Sequence, residues 1–176
     1  MNNRSHRILV MGVSGSGKSH VGQQLATALG ATFIDGDDHH SPANVEKMAN
    51  GTPLNDDDRQ DWLATLANLF AVYKARNASV VIACSGLKKR YRNRLREGDS
   101  RLRVLYLEGS HALLRERLEA RAGHFFKGDS MLASQLADLE PPDSHEAVTV
   151  SIALPPSEII DRFTAMLALT PHCSLV

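Results

Sequence analysis

Short runs of apolar and β-branched residues alternate along the chain with longer stretches whose apolar residues recur every three or four positions. Arg7 to Met11 predicts a strand, and Lys18 to Leu29 a helix with Val21, Leu25, Ala28 and Leu29 on one stripe. Thr32 to Asp35 predicts a second strand, and Pro42 to Asn50 a short helix halted by Gly51 and Pro53. A stronger helix opens at Asn55-Asp56-Asp57-Asp58, with Trp62, Leu66, Leu69 and Tyr73 at spacings of three and four. Asn55 suits an N-cap, and acids in the first turn suit the helix dipole. Ser79 to Cys84 predicts a third strand, apolar as a buried parallel strand should be. Leu87 to Arg96 follows as a basic helix, Arg103 to Leu107 as a fourth strand, and His111 to Arg121 and Met131 to Leu139 as helices. Ala147 to Ala153 and Ser157 to Leu169 close the pattern as strand and helix.

This alternation predicts an α/β protein with one parallel sheet between two helical layers and right-handed crossovers. In such sheets ligands lie outside the carboxyl ends of the strands, so the residues after each strand carry the chemistry. The 176 residues suffice for one good core, which makes 1–176 a single domain. Twenty basic residues balance twenty acidic ones, and bulk charge points to neither a nucleic-acid nor a membrane partner. No apolar run is long enough to span a bilayer, and the N-terminus lacks a signal peptide's apolar stretch. Cys84 and Cys173 form no disulfide framework, so a reducing, cytoplasmic compartment is the expectation.

The loop after strand one reads Gly12-Val13-Ser14-Gly15-Ser16-Gly17-Lys18-Ser19, which fits G-x-x-x-x-G-K-[ST] at every fixed position. Glycines let the chain curl until successive N–H groups point inward, and the following helix adds its positive end. Lys18 would reach the β- and γ-phosphates of a nucleoside triphosphate such as ATP, and the Ser19 hydroxyl would ligate Mg²⁺.

Strand two ends in Asp35-Gly36-Asp37, whereas strand three ends in Cys84-Ser85-Gly86 without an acid. Many P-loop motors carry their metal-orienting aspartate on a strand like the third. Its absence there, and that of a guanine-specificity motif, disfavours a motor or GTPase and favours a small-molecule kinase. Asp35 is assigned to the metal side. Asp37 is assigned to the incoming hydroxyl, and His40 to a polar substrate contact. The run Leu87 to Arg96 would place its first residues near an anionic substrate and its later arginines on solvated surface or an interface. Arg117 and Arg121 share a helix face, and the Gly-rich, basic stretch that follows reads as a hinged helical lid around 122–140. Arg121 would then stabilise charge on the transferring phosphoryl group.

Five segments carry a family resemblance: "GVSGSGKS", "DGDDHHSPANVEKMANGTPLNDDDRQDWL", "CSGLKKRYRNRLR", "GHFFKGDSMLASQL" and "LEPP". In this order they resemble the gluconate kinase family of P-loop enzymes, from about Ile8 to Pro142. The resemblance implies a P-loop NTPase fold like the shikimate and nucleoside-monophosphate kinases, with a five-stranded parallel sheet and a lid. It implies ATP-dependent phosphorylation of D-gluconate at its terminal hydroxyl, and a homodimer. It further implies gluconate near Asp37, His40, Arg59, the turn Ser85-Gly86-Leu87-Lys88 and His124, with Arg59 holding the carboxylate. Three positions depart from the family pattern: Ser41 follows His40 where proline is usual, Gly86 replaces alanine, and Asn93 replaces aspartate. The match is loose beyond Ala147, where adenine contacts are expected around Leu154 to Ser157.

Overall fold

Ile8, Leu9, Val10 and Met11 of the first strand, β1 (Arg7–Met11), are all fully buried. Successive side chains of a strand point to opposite faces, so β1 must be covered on both sides. The computed structural model, which describes residues 4–122 and 129–169, meets that demand with a three-layer arrangement. The other strands are β2 (Thr32–Asp35), β3 (Val80–Ala83), β4 (Arg103–Glu108) and β5 (Val148–Ser151). The sheet runs β2-β3-β1-β4-β5, and every neighbouring pair is parallel.

Ile8 and Val10 pack with Leu25 of α1 (Lys18–Leu29), Leu114 of α5 (His111–Ala122) and Phe163 of α7 (Pro156–Leu169). Leu9 and Met11 pack the other way, with Leu66 and Phe70 of α3 (Asp56–Ala75) and Leu95 of α4 (Lys89–Arg96). Each such fully buried aliphatic or aromatic side chain contributes roughly 1.5–3 kcal/mol. The remaining helices are α2 (Pro42–Ala49) and α6 (Asp129–Asp138). Asn44 of α2 donates to the Asp58 carbonyl at 2.6 Å, and Leu132 seats α6 in the α1-side core.

Several element ends differ by a residue or two from the sequence expectation, and four features bear on the site or the core. A 3₁₀ turn, Gly36–His39, follows β2; the Asp35 carboxylate accepts from the Asp37 amide at 3.0 Å and caps it. Helix α4 begins at Lys89 rather than Leu87, because Gly86 turns at φ 56° and Leu87 drops its side chain into the core. Strand β3 is shorter at both ends than the apolar run. The later arginines of the basic run are not all at the surface. Arg92 is 1% exposed and meets Glu146 at 2.6 Å, with further bonds to the Gly86, Leu87 and Glu140 carbonyls. The helical spacing places Arg92 inward beside Leu95, and the distant Glu146 and these carbonyls together make that burial tolerable.

Candidate active site

The loop from β1 to α1 curls at Gly15 (φ 85°), where a Cβ would stand 2.9 Å from the Leu118 side chain and 3.0 Å from the Leu114 carbonyl. Both the conformation and the space demand glycine. Gly17 caps α1 in the left-handed region, and no side chain caps the first amides of that helix. Those N–H groups and the helix dipole face the mouth together, the arrangement an anion requires. Ser14 offers its amide to Gln135 of α6 at 2.7 Å, which ties the expected flap region to the loop. The Ser16 hydroxyl is buried without a partner among the described residues.

Lys18 folds back over this loop and donates to the Val13 carbonyl at 3.2 Å. Burial lowers its ammonium pKa below the ordinary value, although Asp37 and Asp35 pull it back; Arg121 presses it lower still. Arg121, exposed at the end of α5, therefore stands within electrostatic reach of Lys18. Ser19 donates to Asp35 at 3.0 Å. One hydroxyl and one carboxylate, both hard oxygen donors beside the loop, suit Mg²⁺.

The second wall descends from β2. Asp37 opens toward solvent yet is crowded by protein, and this loss of hydration raises its carboxyl above the usual range. Lys18 opposes the rise and Asp35 adds to it. Gly36 between the two aspartates lies flat against β3, where a Cβ would meet the Ala83 carbonyl at 2.6 Å. Trp62 donates to the Gly36 carbonyl at 2.7 Å and stacks on His40, with ring centroids 4.2 Å apart. The His40 Nδ1 atom is buried without a partner among the described residues. Burial lowers the His40 pKa; Asp37 opposes this and Arg59 adds to it, so both charges lie close. Below them, burial pushes the Cys84 thiol up to about 12, which leaves it inert.

The third wall joins the starts of α3 and α4. Arg59 donates to the Tyr91 hydroxyl at 2.8 Å, and Lys88 stands 3.6 Å from Asp56. In the preceding turn, Ser85 accepts from the Gly12 amide at 3.3 Å. The Gly86 and Leu87 carbonyls are taken by Arg92. The Leu87 side chain lies in the core, so a contact from this residue would have to come from its backbone.

The rim thus gathers Lys18, Ser19, Asp35, Asp37, His40 and Arg59, and sets Lys88 and Arg121 at its edges. His124 and lid residues 123–128 lie outside the described residues; residues 129–138 of the expected lid form α6, seated on the body. Sequence reading passed over Trp62, Asp56, Tyr91, Arg92 and Gln135. Trp62 carried a usable signal, three positions after Arg59 on the same face of α3. Arg92 carried none, because its partner is 54 residues away.

What the rim can hold decides the class: a phosphate chain on the loop, and facing it an acceptor delivered to an acid. That is a P-loop kinase of small molecules. A family model for an AAA domain matches residues 8–142. The thermoresistant gluconokinase of Escherichia coli (strain K12) is 48% identical over 145 residues, 82% of each chain. The gluconokinase of Gluconobacter oxydans (strain 621H) is 45% identical over 141 residues, 80% of this chain and 79% of that one. A crystal structure of a gluconokinase from Sinorhizobium meliloti 1021 matches with a TM-score of 0.85 at 44% identity, covering 94% of this chain and 93% of the other. The chain belongs to the gluconokinase family, and it is an enzyme.

Proposed function

We propose that the chain transfers the γ-phosphoryl group of ATP to the terminal hydroxyl of D-gluconate, giving 6-phospho-D-gluconate and ADP. One observation carries the assignment of sides. Among the described residues, two buried side-chain polar atoms have no partner, Ser16 Oγ in the loop and His40 Nδ1 beside Asp37. An orphaned buried polar group costs free energy that a ligand can return. One orphan lies where phosphates would bind, the other where the acceptor would lie.

The loop amides of residues 12–19 and Lys18 hold the phosphates. Ser19 and, through water, Asp35 hold Mg²⁺, which when bound neutralises charge on the phosphate oxygens. Arg59 and Lys88 take the gluconate carboxylate, Arg59 through a fork that can give two parallel hydrogen bonds. His40 contacts the polyol. Asp37 accepts a hydrogen bond from the terminal hydroxyl and aims it in line, and its raised pKa keeps it a better base than an ordinary aspartate. Lys18 and Arg121 counter the charge that builds on the transferring group. Most of the rate then comes from positioning and charge stabilisation. A homodimer working in the cytoplasm completes the reading. The homodimer rests on the family resemblance, and the compartment on the cysteine usage.

The test is ATP consumption with D-gluconate beside L-idonate and shikimate, with the product's phosphorylated carbon read by NMR. Turnover with gluconate, a 6-phosphate product and its loss in Lys18→Ala are expected. Turnover with shikimate alone, or near-normal kcat in Lys18→Ala, would overturn the proposal.

A further inference from the structure

Asp56, at the first position of α3, is the meeting point of a cluster in which Asp56, Tyr91 and Arg90 have no part in the proposed reaction. Tyr91 of α4 donates its hydroxyl to Asp56, and Arg90 pairs with the same carboxylate. Lys88 stands 3.6 Å from it and Arg59 4.0 Å. The Tyr91 oxygen also accepts from Arg59 at 2.8 Å, so one phenol links the acid to that guanidinium. The Tyr91 ring lies under three cations, with Arg59 at 5.3 Å, Lys88 at 5.8 Å and Arg90 at 5.7 Å from its centroid.

Three positive groups converge here on one carboxylate. The cluster keeps a positive excess after Asp56 is counted, and its geometry already accommodates a carboxylate. The phenol and Asp56 together remove torsional freedom from Arg59 and Lys88, two long side chains that would otherwise lose that freedom on binding. The cap of α3 is a separate device, a reciprocal pair between Asn55 and Asp58, so Asp56 is not needed to start the helix.

We propose that Asp56 and Tyr91 are positioning residues that hold Arg59 and Lys88 in the geometry that receives the substrate's carboxylate, an inference that rests on the gluconate reading above. Neither touches the reacting atoms. Both act before chemistry, so their loss raises the KM for the acid and leaves kcat and the ATP step alone.

The experiment is steady-state kinetics on the whole enzyme for Tyr91→Phe, Asp56→Asn, Asp56→Glu, Arg59→Ala, Arg59→Lys and the double variant Tyr91→Phe with Arg59→Lys, each with a thermal melt. Tyr91→Phe keeps the ring and loses only the hydroxyl. It should raise the gluconate KM about tenfold, as expected for a lost hydrogen bond to a charged group. The ATP KM and kcat should stay within about twofold. Asp56→Asn should behave alike and Asp56→Glu should recover part of the loss. In the Arg59→Lys background, Tyr91→Phe should add little, since its effect runs through Arg59. An unchanged gluconate KM in Tyr91→Phe, or full additivity with Arg59→Lys, would overturn the proposal. So would equal losses in kcat, ATP KM and melting temperature, the mark of a merely structural role. A wild-type enzyme inert toward gluconate, or Arg59→Ala acting on the ATP KM alone, would overturn the underlying reading instead.

Discussion

At the scale of single residues, the site holds charges that folding alone would not favour. Asp37 has its pKa raised chiefly by loss of hydration, against the pull of Lys18. A carboxyl whose folded pKa exceeds its unfolded value disfavours the folded state, a penalty that is absent below the unfolded value and grows as pH rises above it. Asp37→Asn should therefore raise the melting temperature at pH 7 while lowering kcat by about 10²–10⁴-fold. The gain should vanish below pH 3.8, the ordinary aspartate value, where Asp37 is protonated in both states. Parallel melts of both proteins from pH 7 down to pH 3 check the sign, and an assay at saturating ATP checks the rate. Gly36 shows the complementary constraint. A Cβ there would meet the Ala83 backbone carbonyl at 2.6 Å, and backbone cannot step aside as a flexible side chain can. Gly36→Ala should displace both flanking aspartates at once, with kcat falling at least as far as in Asp37→Asn and the Tm falling rather than rising.

At the scale of elements, α4 is held by a buried ion pair rather than by apolar packing alone. Arg92 bridges Glu146 on the segment before β5 and the carbonyls of the turn before α4, while Arg96 also reaches Glu146 at 2.6 Å. Burial works to raise the Glu146 carboxyl, yet Arg92 and Arg96 overcome it and hold the group below its ordinary value. The stability gained is present above pH 4.5, the unfolded value, and is lost as pH falls through the lower folded one. Glu146→Gln should destabilise the enzyme at neutral pH and converge on wild type in acid. Arg92→Leu should cost about 3 kcal/mol or more, because it leaves the Gly86, Leu87 and Glu140 carbonyls without this donor and Glu146 with Arg96 alone. It should also raise the gluconate KM, because it frees the Gly86-Leu87 turn. Urea midpoints read the first effect and kinetics the second. The same pair shows where sequence stops being informative. Helix α1 and strand β2 matched their predicted bounds, because apolar spacing and the glycines at both ends of α1 are local signals. The basic run gave α4 as a helix, but not Arg92's burial, since its partner lies 54 residues on.

At the scale of the molecule, the proposed reaction divides its two ligands between the two sides of the sheet. Helices α1, α5 and α6 adjoin the phosphate loop, while α3 and α4 carry the proposed acceptor wall; the loops after β1 and β3 join through the Gly12–Ser85 bond. The sheet order was legible only as alternation. That β2 takes the edge, and so sets Asp35 and Asp37 beside a loop almost twenty residues earlier, is a long-range choice no window of sequence contains. The Gln135 contact to Ser14, 121 residues apart, is the extreme case. This division makes the two ligands separable in stability as well as in rate. A ligand that binds only the folded state at about 100 times its Kd stabilises by about 2.7 kcal/mol. For a chain of this length that raises the Tm by roughly 5–10 °C. ATP with Mg²⁺ should produce such a shift in wild type and in Arg59→Ala, and none in Lys18→Ala. Gluconate should produce its own shift in wild type and in Lys18→Ala, and none in Arg59→Ala. A crossed pattern, with Arg59→Ala losing the nucleotide shift, would place the acceptor wall on the wrong side of the sheet.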